Sequence, residues 1–308
     1  MKNDQRKFGL TRLFIDNQGF IELPKHEFEA IVIARNGLFG VLELEEKFDL
    51  VLENFLELEQ ELLNIALRQS VSIFPVWNAG MVDRQRVNRR LANLLTTARL
   101  YFDQTSRELA NIYGRKSQVW INFRAFRDEH LNANLGCRVM SELRDYIQHR
   151  SLPVHTLTYH SGWEEHKNRS FLVYMTIPKV NVRLLEADRD FERSVIEELK
   201  QLGELVDIRP LVREYVESLA LLHQKLRGLT DSDEKNWFAL LEKSMFQYAK
   251  TFGENLTGLA AVELDQDGDI IRELNIFKDP IERLKFLRTK NASFQKFSLR
   301  YVSGRNTP

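Results

Sequence analysis

The segment from Glu142 to Arg150 carries the side chains best suited to catalysis in this 308-residue chain. It places Arg144 and His149 with four residues between them, at the predicted end of a helix and shortly before Pro153. A histidine can take or give a proton near neutral pH, and an arginine can neutralise charge that develops on phosphate oxygens. These residue types could support acid–base chemistry and the stabilisation of negative charge.

Helix geometry limits how these side chains can meet. Residues five apart on an ideal helix differ by about 140° in azimuth and roughly 7.5 Å in rise. Arg144 and His149 therefore converge only if the last turn loosens, or if a second chain or a ligand lies across the helix end. Asp145 and His149 are four apart and can touch, so we expect the Asp145 carboxylate to orient the imidazole.

The sequence Arg-Asp-Tyr-Ile-Gln-His at 144–149 resembles the motif of the HEPN superfamily. Its members are helical bundles in which four to six residues separate an Arg from a His, usually with a polar residue directly after the Arg. The resemblance covers about residues 46–155, where long predicted helices precede the motif. It implies a homodimer that cleaves RNA without a metal or other cofactor, with Arg144, His149 and Asp145 as the catalytic residues.

The resemblance also implies a course for the reaction. His149 would take the proton from a ribose 2′-hydroxyl or protonate the leaving 5′-oxygen, and Arg144 would neutralise charge on the phosphorane oxygens. The products would be a 2′,3′-cyclic phosphate and a 5′-hydroxyl. A toxin, or an effector of stress response or phage defence, could direct this reaction at transfer, messenger or ribosomal RNA, which share the same reacting groups.

A structural interpretation of the motif stays open. Arg144 and His149 could satisfy the free carbonyl groups at the end of their helix. The protein would then be a non-catalytic helical module that binds a protein partner or a nucleotide-like ligand. A second match between Arg124 and His130 shows that the spacing also arises by chance, and we prefer residues 144–149 because they end a predicted helix before a loop.

Basic residues cluster on one predicted helix, although Lys+Arg and Asp+Glu both total 44. Arginine binds phosphates in a bidentate manner, so the clustered arginines are predicted RNA contacts. They are Arg84, Arg86, Arg89 and Arg90, with Arg99 further along the helix. Residues 43–61 hold eight acids and one Lys, so this face could instead be solvated or pair with the acidic helix before it.

Two weaker patterns contain metal-binding residue types. One lies around a predicted hairpin loop and comprises His155, His160, His166, Glu164 and Glu165. His155 and His160 are separated by an odd number of positions along the chain, so their side chains would point to opposite faces of one strand. The other starts at Asp265, but Phe277 stands where a calcium loop has its Glu, so a hairpin turn is the better interpretation. We predict no metal and no other cofactor.

Composition excludes several classes of protein. With 43% hydrophobic and 29% charged residues, the chain is neither disordered nor collagen-like. Its single cysteine, Cys137, excludes an internal disulfide framework and a multi-thiolate metal site, and it fits a reducing compartment. No apolar run approaches 18 residues, so we expect a soluble, cytoplasmic protein that has no membrane partner.

Periodicity predicts an α+β fold, mainly α, in three parts: a small β segment at 1–45, a helical domain at 46–153 and a mixed α/β region with a basic tail at 154–308. The predicted strands are 11–15, 20–23, 31–34, 39–42, 154–159, 170–177, 260–264 and 270–274. The predicted helices begin near residues 45, 81 and 118, with a break near 132–136 in the last, and then span 189–202, 208–227 and 234–252.

Overall fold

The computed structural model describes residues 6–13, 19–72, 76–166, 169–291 and 296–300. Within these ranges the protein is mainly helical and has two small antiparallel sheets, which confirms the predicted α+β class. The last two residues of the strand predicted at 11–15 and the last eight residues of the basic tail lie outside the described part of the chain.

The secondary-structure elements are as follows. The first half holds β1 (Lys7–Arg12), β2 (Phe20–Leu23), α1 (Lys25–Val71), α2 (Val76–Tyr113), α3 (Gln118–Ala133) and α4 (Leu135–His149). The second half holds β3 (Thr156–His166), β4 (Arg169–Asn181), α5 (Val182–Glu186), α6 (Arg193–Leu202), β5 (Leu205–Asp207), α7 (Arg209–Phe252), β6 (Leu259–Leu264), β7 (Ile270–Asn275) and α8 (Asp279–Lys290), before a short 3-10 turn at Phe297–Leu299.

The chain forms two compact units, each drawn from several stretches of sequence. Unit 1 comprises residues 1–46, 105–121 and 226–292, and unit 2 comprises residues 47–104, 122–225 and 293–308. The predicted division into consecutive parts at residues 45 and 153 differs from this arrangement. The physical reason is the length of α1, α2 and α7, each of which contributes residues to both units.

Unit 1 is built on a four-stranded antiparallel sheet in the order β2-β1-β6-β7. In the register of β1, Leu10 lies opposite Ile21 of β2 and opposite Ala261 of β6. Leu10 is fully buried in an apolar core that also contains Phe28 and Ile31 of α1. Burial of one sheet face against helices accounts for the alternation of apolar residues along β1.

The prediction of strands at residues 31–34 and 39–42 is wrong, because both segments lie within α1. Buried residues recur along this part of α1 at helical spacing: Phe28, Ile31, Val32, Ala34, Leu38, Val41 and Leu42. Gly37 does not form a turn. A Cβ atom at this position would lie 2.6 Å from the Trp237 ring, so the glycine permits close packing between the two residues.

The predicted break between residues 227 and 234 is also wrong, because α7 is continuous from Arg209 to Phe252. Thr230, which favours a turn in an isolated sequence, bonds within the helix to the carbonyl of Leu226 at 3.3 Å. Glu234 one turn later is buried and accepts a hydrogen bond from Arg288 at 2.6 Å. The Thr230 hydroxyl is thus satisfied within the helix, and the contact with Arg288 anchors this polar stretch of α7.

Unit 2 combines a helical core with a three-stranded sheet in the order β3-β4-β5. The predicted hairpin is confirmed, and its register runs from Thr156 opposite Lys179 to His166 opposite Arg169. The predicted interruption near residues 132–136 is confirmed as well, since α3 ends at Ala133 and α4 begins at Leu135. One face of α4 enters the core through Gly136, Cys137, Val139, Met140 and Leu143.

Candidate active site

Two of the three predicted catalytic residues, Asp145 and His149, are exposed on α4, whereas Arg144 lies at the margin of the buried stripe, beside Cys137 and Met140 on a helical projection. The exposed residues of the last three turns are Ser141, Asp145, Gln148 and His149, and Arg144 at the edge of this set is half-buried. On a helical projection at about 100° per residue, Asp145 falls between Arg144 and His149. The amphipathic pattern of α4 therefore exposes the Asp and the His and places the Arg next to the buried face.

Arg144 is positioned by its neighbour in sequence. One terminal nitrogen, Nη1, donates to Oδ1 of Asp145 at 2.6 Å, which forms an ion pair. The Nε atom of Arg144 is buried and has no hydrogen-bond partner within the described ranges. The guanidinium thus keeps donor capacity that the protein itself does not use.

His149 is exposed, and no hydrogen bond or ion pair joins it to any other described residue. The expected contact between Asp145 and His149 is absent from this part of the chain, because the Asp145 carboxylate binds Arg144 instead. The helix remains regular to His149, so the last turn does not loosen. Within one chain, Arg144 and His149 keep their separation of about 140° around the helix.

The segment that follows α4 is held firmly in place. The backbone N–H groups of Arg150 and Ser151 both donate to the Tyr146 carbonyl, at 2.9 and 3.2 Å. Arg150 then forms ion pairs with Asp188 and Asp190, at 3.2 and 2.5 Å. These contacts fix the end of the helix, and hence the position of His149.

Residues of α2 anchor the same segment from another side. The buried Asn88 side chain accepts from the Val154 N–H at 2.9 Å and donates to the Val154 carbonyl at 3.0 Å. Arg84 donates to the carbonyl of His155 at 2.8 Å. Arg84 therefore supports the loop after the motif, a structural contact that its place in the basic cluster did not indicate.

The other arginines predicted to bind RNA differ in their ion-pair partners. Arg86 lies 3.6 Å from Asp83 in an ion pair, and Arg90 pairs with Glu57 of α1. For Arg90, the alternative prediction that the basic face pairs with the preceding acidic helix is therefore confirmed. Arg89 is exposed, and no ion pair or hydrogen bond involves it among the residues that the structure describes.

A cavity of about 430 Å³ lies on the Arg144 side of α4. Its lining includes four arginines, namely Arg99, Arg127, Arg138 and Arg144. It also includes the acids Asp103, Glu142 and Glu192, with Phe102 and Tyr215 among the apolar lining residues. The sequence alone does not reveal this site, because its members come from α2, α3, α4, α6 and α7. His149 is not part of the lining.

Burial alters the protonation of several cavity groups. It raises the pKa of Glu142, whose Oε2 also accepts the N–H of Glu192 at 2.9 Å. Burial raises the pKa of the Cys137 thiol to about 11, so this cysteine stays protonated at neutral pH. Cys137 is a free thiol buried in the apolar core of unit 2.

The histidine-rich hairpin does not assemble a metal site in the described residues, where no group of three or more His, Cys, Asp or Glu side chains is placed to hold an ion. His155 is half-buried, and its Nδ1 accepts the Asn181 N–H at 3.0 Å. The predicted hairpin turn at Asp265 is confirmed, since its carboxylate accepts the N–H groups of Asp267 and Asp269 at 3.0 and 2.9 Å.

Comparisons with known proteins identify no relative of this chain. No family model, no curated protein and no solved structure matches it. Within the described ranges, none of the helices has both the length and the apolar character needed to cross a bilayer.

Proposed function

We propose that this protein is a metal-independent endoribonuclease that acts as a homodimer. The observation that carries the proposal is the state of His149: its side chain is exposed at the end of a well-anchored helix, and no hydrogen bond or ion pair with another described residue gives it a structural role. The structural interpretation of the motif requires Arg144 and His149 to donate hydrogen bonds to the carbonyl groups at the end of α4. Neither side chain forms such a bond within the described ranges.

The reaction needs one group that removes a proton and one that returns it. His149 of one chain takes the proton of the ribose 2′-hydroxyl, and the 2′-oxygen attacks the adjacent phosphorus. The bond from phosphorus to the 5′-oxygen breaks, and the leaving oxygen receives a proton from the protonated imidazole of the partner's His149. The products are a 2′,3′-cyclic phosphate and a 5′-hydroxyl, with no net gain or loss of protons.

Arg144 has the electrostatic role in this scheme. Its guanidinium stabilises the negative charge that develops on the nonbridging phosphate oxygens, and Asp145 holds it in place through the 2.6 Å hydrogen bond. Because Arg144 and His149 diverge around one helix, we propose that the site becomes complete when the exposed sides of two α4 helices face each other. A toxin or an effector of phage defence or stress response would be the biological setting.

RNA also has to be held outside the reacting centre. Arg89 is the member of the basic cluster best suited to this role because its side chain is exposed and none of the described residues occupies its donors. Arg84, Arg86 and Arg90 contribute charge to the same helix while they bond to the protein. Each contact of this kind adds to affinity in a salt-dependent manner.

The test is cleavage of total cellular RNA by the purified full-length chain in EDTA, with Arg144→Ala and His149→Ala beside it. His160→Ala is the matched control, since His160 is an exposed histidine outside the motif. We expect both motif variants to lose cleavage, the control to retain it, and the products to carry cyclic-phosphate ends. Cleavage that survives both substitutions, or a folded wild type that cleaves no RNA, would reject the ribonuclease.

A second candidate is a non-catalytic helical binding module. It is favoured by one specific observation: Arg144 lines a cavity and His149 does not. Within one chain, the two motif residues therefore do not belong to the same site. Binding without cleavage, equally strong in wild type and His149→Ala, would support this candidate over the enzyme.

A further inference from the structure

The cavity beside α4 has an apolar part and a charged part. The rings of Phe102 and Tyr215 lie 6.4 Å apart between centroids at an angle of 52°, and Leu95 and Val195 extend this apolar surface. The charged part contains four guanidinium groups and three carboxylates. A ligand that fits this lining must combine an apolar, preferably planar, group with an anionic group and with hydrogen-bond donors.

Two of the four arginines keep donors free for a ligand. Arg99 uses Nε to bond Asp103 at 3.0 Å, and Arg144 uses Nη1 to bond Asp145. The remaining N–H groups of these two side chains have no hydrogen-bond partner in the described part of the chain. Since a guanidinium presents five donors in a planar fork, both residues can bind a phosphate while they stay paired with their aspartates.

The other two arginines are committed to the protein and shape the cavity. Arg138 donates through Nη2 to both carboxylate oxygens of Glu198, at 2.7 and 2.6 Å, and through Nη1 to the Asn132 carbonyl at 2.5 Å. Arg127 bonds the Asp128 carboxylate through two nitrogens, at 2.9 and 2.7 Å. These contacts fix the walls in the absence of a ligand, which lowers the cost of binding.

The carboxylates supply acceptors for hydroxyl groups. Glu142 uses one oxygen, Oε2, to accept the Glu192 N–H, and its other oxygen, Oε1, takes part in no hydrogen bond among the described residues. A carboxylate beside a phosphate-binding group is a common partner for ribose hydroxyls. An inorganic anion would leave this acceptor and the aromatic rings unused, and a purely apolar molecule would bury the free N–H donors of Arg99 and Arg144 without an acceptor.

From these features we infer that the cavity binds a ribonucleoside monophosphate. The phosphate lies on Arg99 and Arg144, a ribose hydroxyl donates to Glu142, and the base packs on the apolar surface near Phe102. The volume of about 430 Å³ lies in the range of sites for small organic ligands. The nucleotide is either free or part of an RNA strand. The RNA source rests on the proposed ribonuclease function, whereas nucleotide binding itself does not.

The test is isothermal titration calorimetry of the full-length His149→Ala chain, which cannot consume RNA under the proposed mechanism. The four ribonucleoside 5′-monophosphates are titrated separately, with adenosine and inorganic phosphate as partial ligands. We expect at least one monophosphate to bind at least about tenfold more tightly than either partial ligand, because only it contacts both parts of the lining. No saturable binding of any monophosphate would overturn the inference.

Two variants locate the binding. Ser141→Trp places a large side chain at the exposed margin of the cavity, and Arg99→Ala removes one of the two arginines with free donors. Each should weaken binding about tenfold or more. Gln201→Trp and Arg107→Ala are matched changes at exposed residues outside the lining and should leave binding unchanged. Binding that is equal in all four variants would place the nucleotide elsewhere and reject the site.

A competition arm separates the two sources of nucleotide and keeps the inference distinct from the ribonuclease. An unmodified RNA oligonucleotide, which keeps the 2′-hydroxyl donors and which the His149→Ala chain should not cleave, should displace the monophosphate if the site takes a nucleotide of RNA. If it does not displace it, the site takes free nucleotide. Monophosphate binding, together with a folded wild-type chain that cleaves no RNA, would retain the cavity and reject the enzyme. RNA cleavage by the wild type without monophosphate binding would do the reverse.

Discussion

The Asp145 carboxylate accepts a hydrogen bond from the Arg144 guanidinium at 2.6 Å and makes no contact with His149 one turn further along α4. The polar residue of the motif therefore orients the arginine and not the histidine. This pairing links the two surfaces of α4, since Arg144 lines the cavity and Asp145 lies on the exposed side. A ligand at either surface would compete for, or be aligned by, the same guanidinium.

Asp145→Asn tests this role in the proposed reaction. The amide keeps a hydrogen-bond acceptor but loses the charge, so we expect single-turnover RNA cleavage to fall about tenfold, less than the roughly 10²–10³-fold loss expected for Arg144→Ala. Asp145→Glu, which keeps the charge, is the control and should lose less than the amide. Equal losses for Asp145→Asn and Arg144→Ala would show that Asp145 does more than hold its neighbour.

The half-buried position of His155, which follows the motif, should make the stability of the protein depend on pH. Burial, and then the nearby charge of Arg84, lower its pKa below the ordinary 6.5. As the pH falls, the unfolded chain therefore takes up the proton first, so the stability that the neutral ring contributes is complete above about pH 6.5 and is lost as the pH falls through the lowered value. Protonation at Nδ1 would also break the hydrogen bond from the Asn181 N–H.

Urea unfolding at pH 7 and pH 5 measures this effect. The wild type should lose stability on acidification, and His155→Gln should lose less because the titrating group is gone. His160→Gln is the control, since His160 is exposed and should leave the pH dependence as it is. A His155→Gln chain with the same loss of stability as the wild type would assign the pH dependence to other groups.

The sequence is a good guide where local signals and packing agree. The predicted break near residues 132–136 and the predicted helix end shortly before Pro153 lie close to the two ends of α4. The hairpin of β3 and β4 is also predictable, because a polar loop separates two strand-like runs. These elements carry Arg144 and His149, so the sequence alone places the motif at the end of its helix.

The failures come from contacts between residues far apart in sequence. Two short apolar runs around Gly37 fit a strand as well as a helix, and the close approach of Trp237 decides the question in favour of α1. The cavity could not be predicted, because Arg99 and Tyr215 are brought together only by tertiary packing. The pairing of Asp145 with Arg144 instead of His149 depends on side-chain conformations that spacing alone does not determine.

Substitution of the buried Glu45 should cause a large loss of stability in unit 1. Its side chain is 1% exposed and accepts hydrogen bonds from Arg227, at 2.8 and 2.5 Å, and from Arg288, at 3.2 Å. Glu45→Ala leaves two partly buried guanidinium groups without this partner, which should lower the free energy of unfolding by about 3–5 kcal/mol. The measurement is a chemical denaturation curve of the full-length chain.

The next residue provides the control for this change. Glu46 is exposed and pairs with Arg283 at 3.6 Å, so Glu46→Ala should cost less than about 1 kcal/mol. The two substitutions remove the same side chain at adjacent positions of α1 and differ mainly in burial. Similar losses for both variants would contradict the importance of the buried network.

Two helical glycines give opposite predictions for one kind of substitution. A Cβ atom at Gly37 would lie 2.6 Å from the Trp237 ring, whereas a Cβ atom at Gly228 of α7 would meet nothing within 4 Å. Gly37→Ala should therefore destabilise the protein by about 1–3 kcal/mol through overpacking. Gly228→Ala should stabilise it by roughly 0.5–1 kcal/mol, because alanine loses less conformational freedom on folding into a helix. Denaturation of both variants beside the wild type measures the difference, and a Gly37→Ala chain as stable as Gly228→Ala would show that residues 31–42 do not pack as a helix against Trp237.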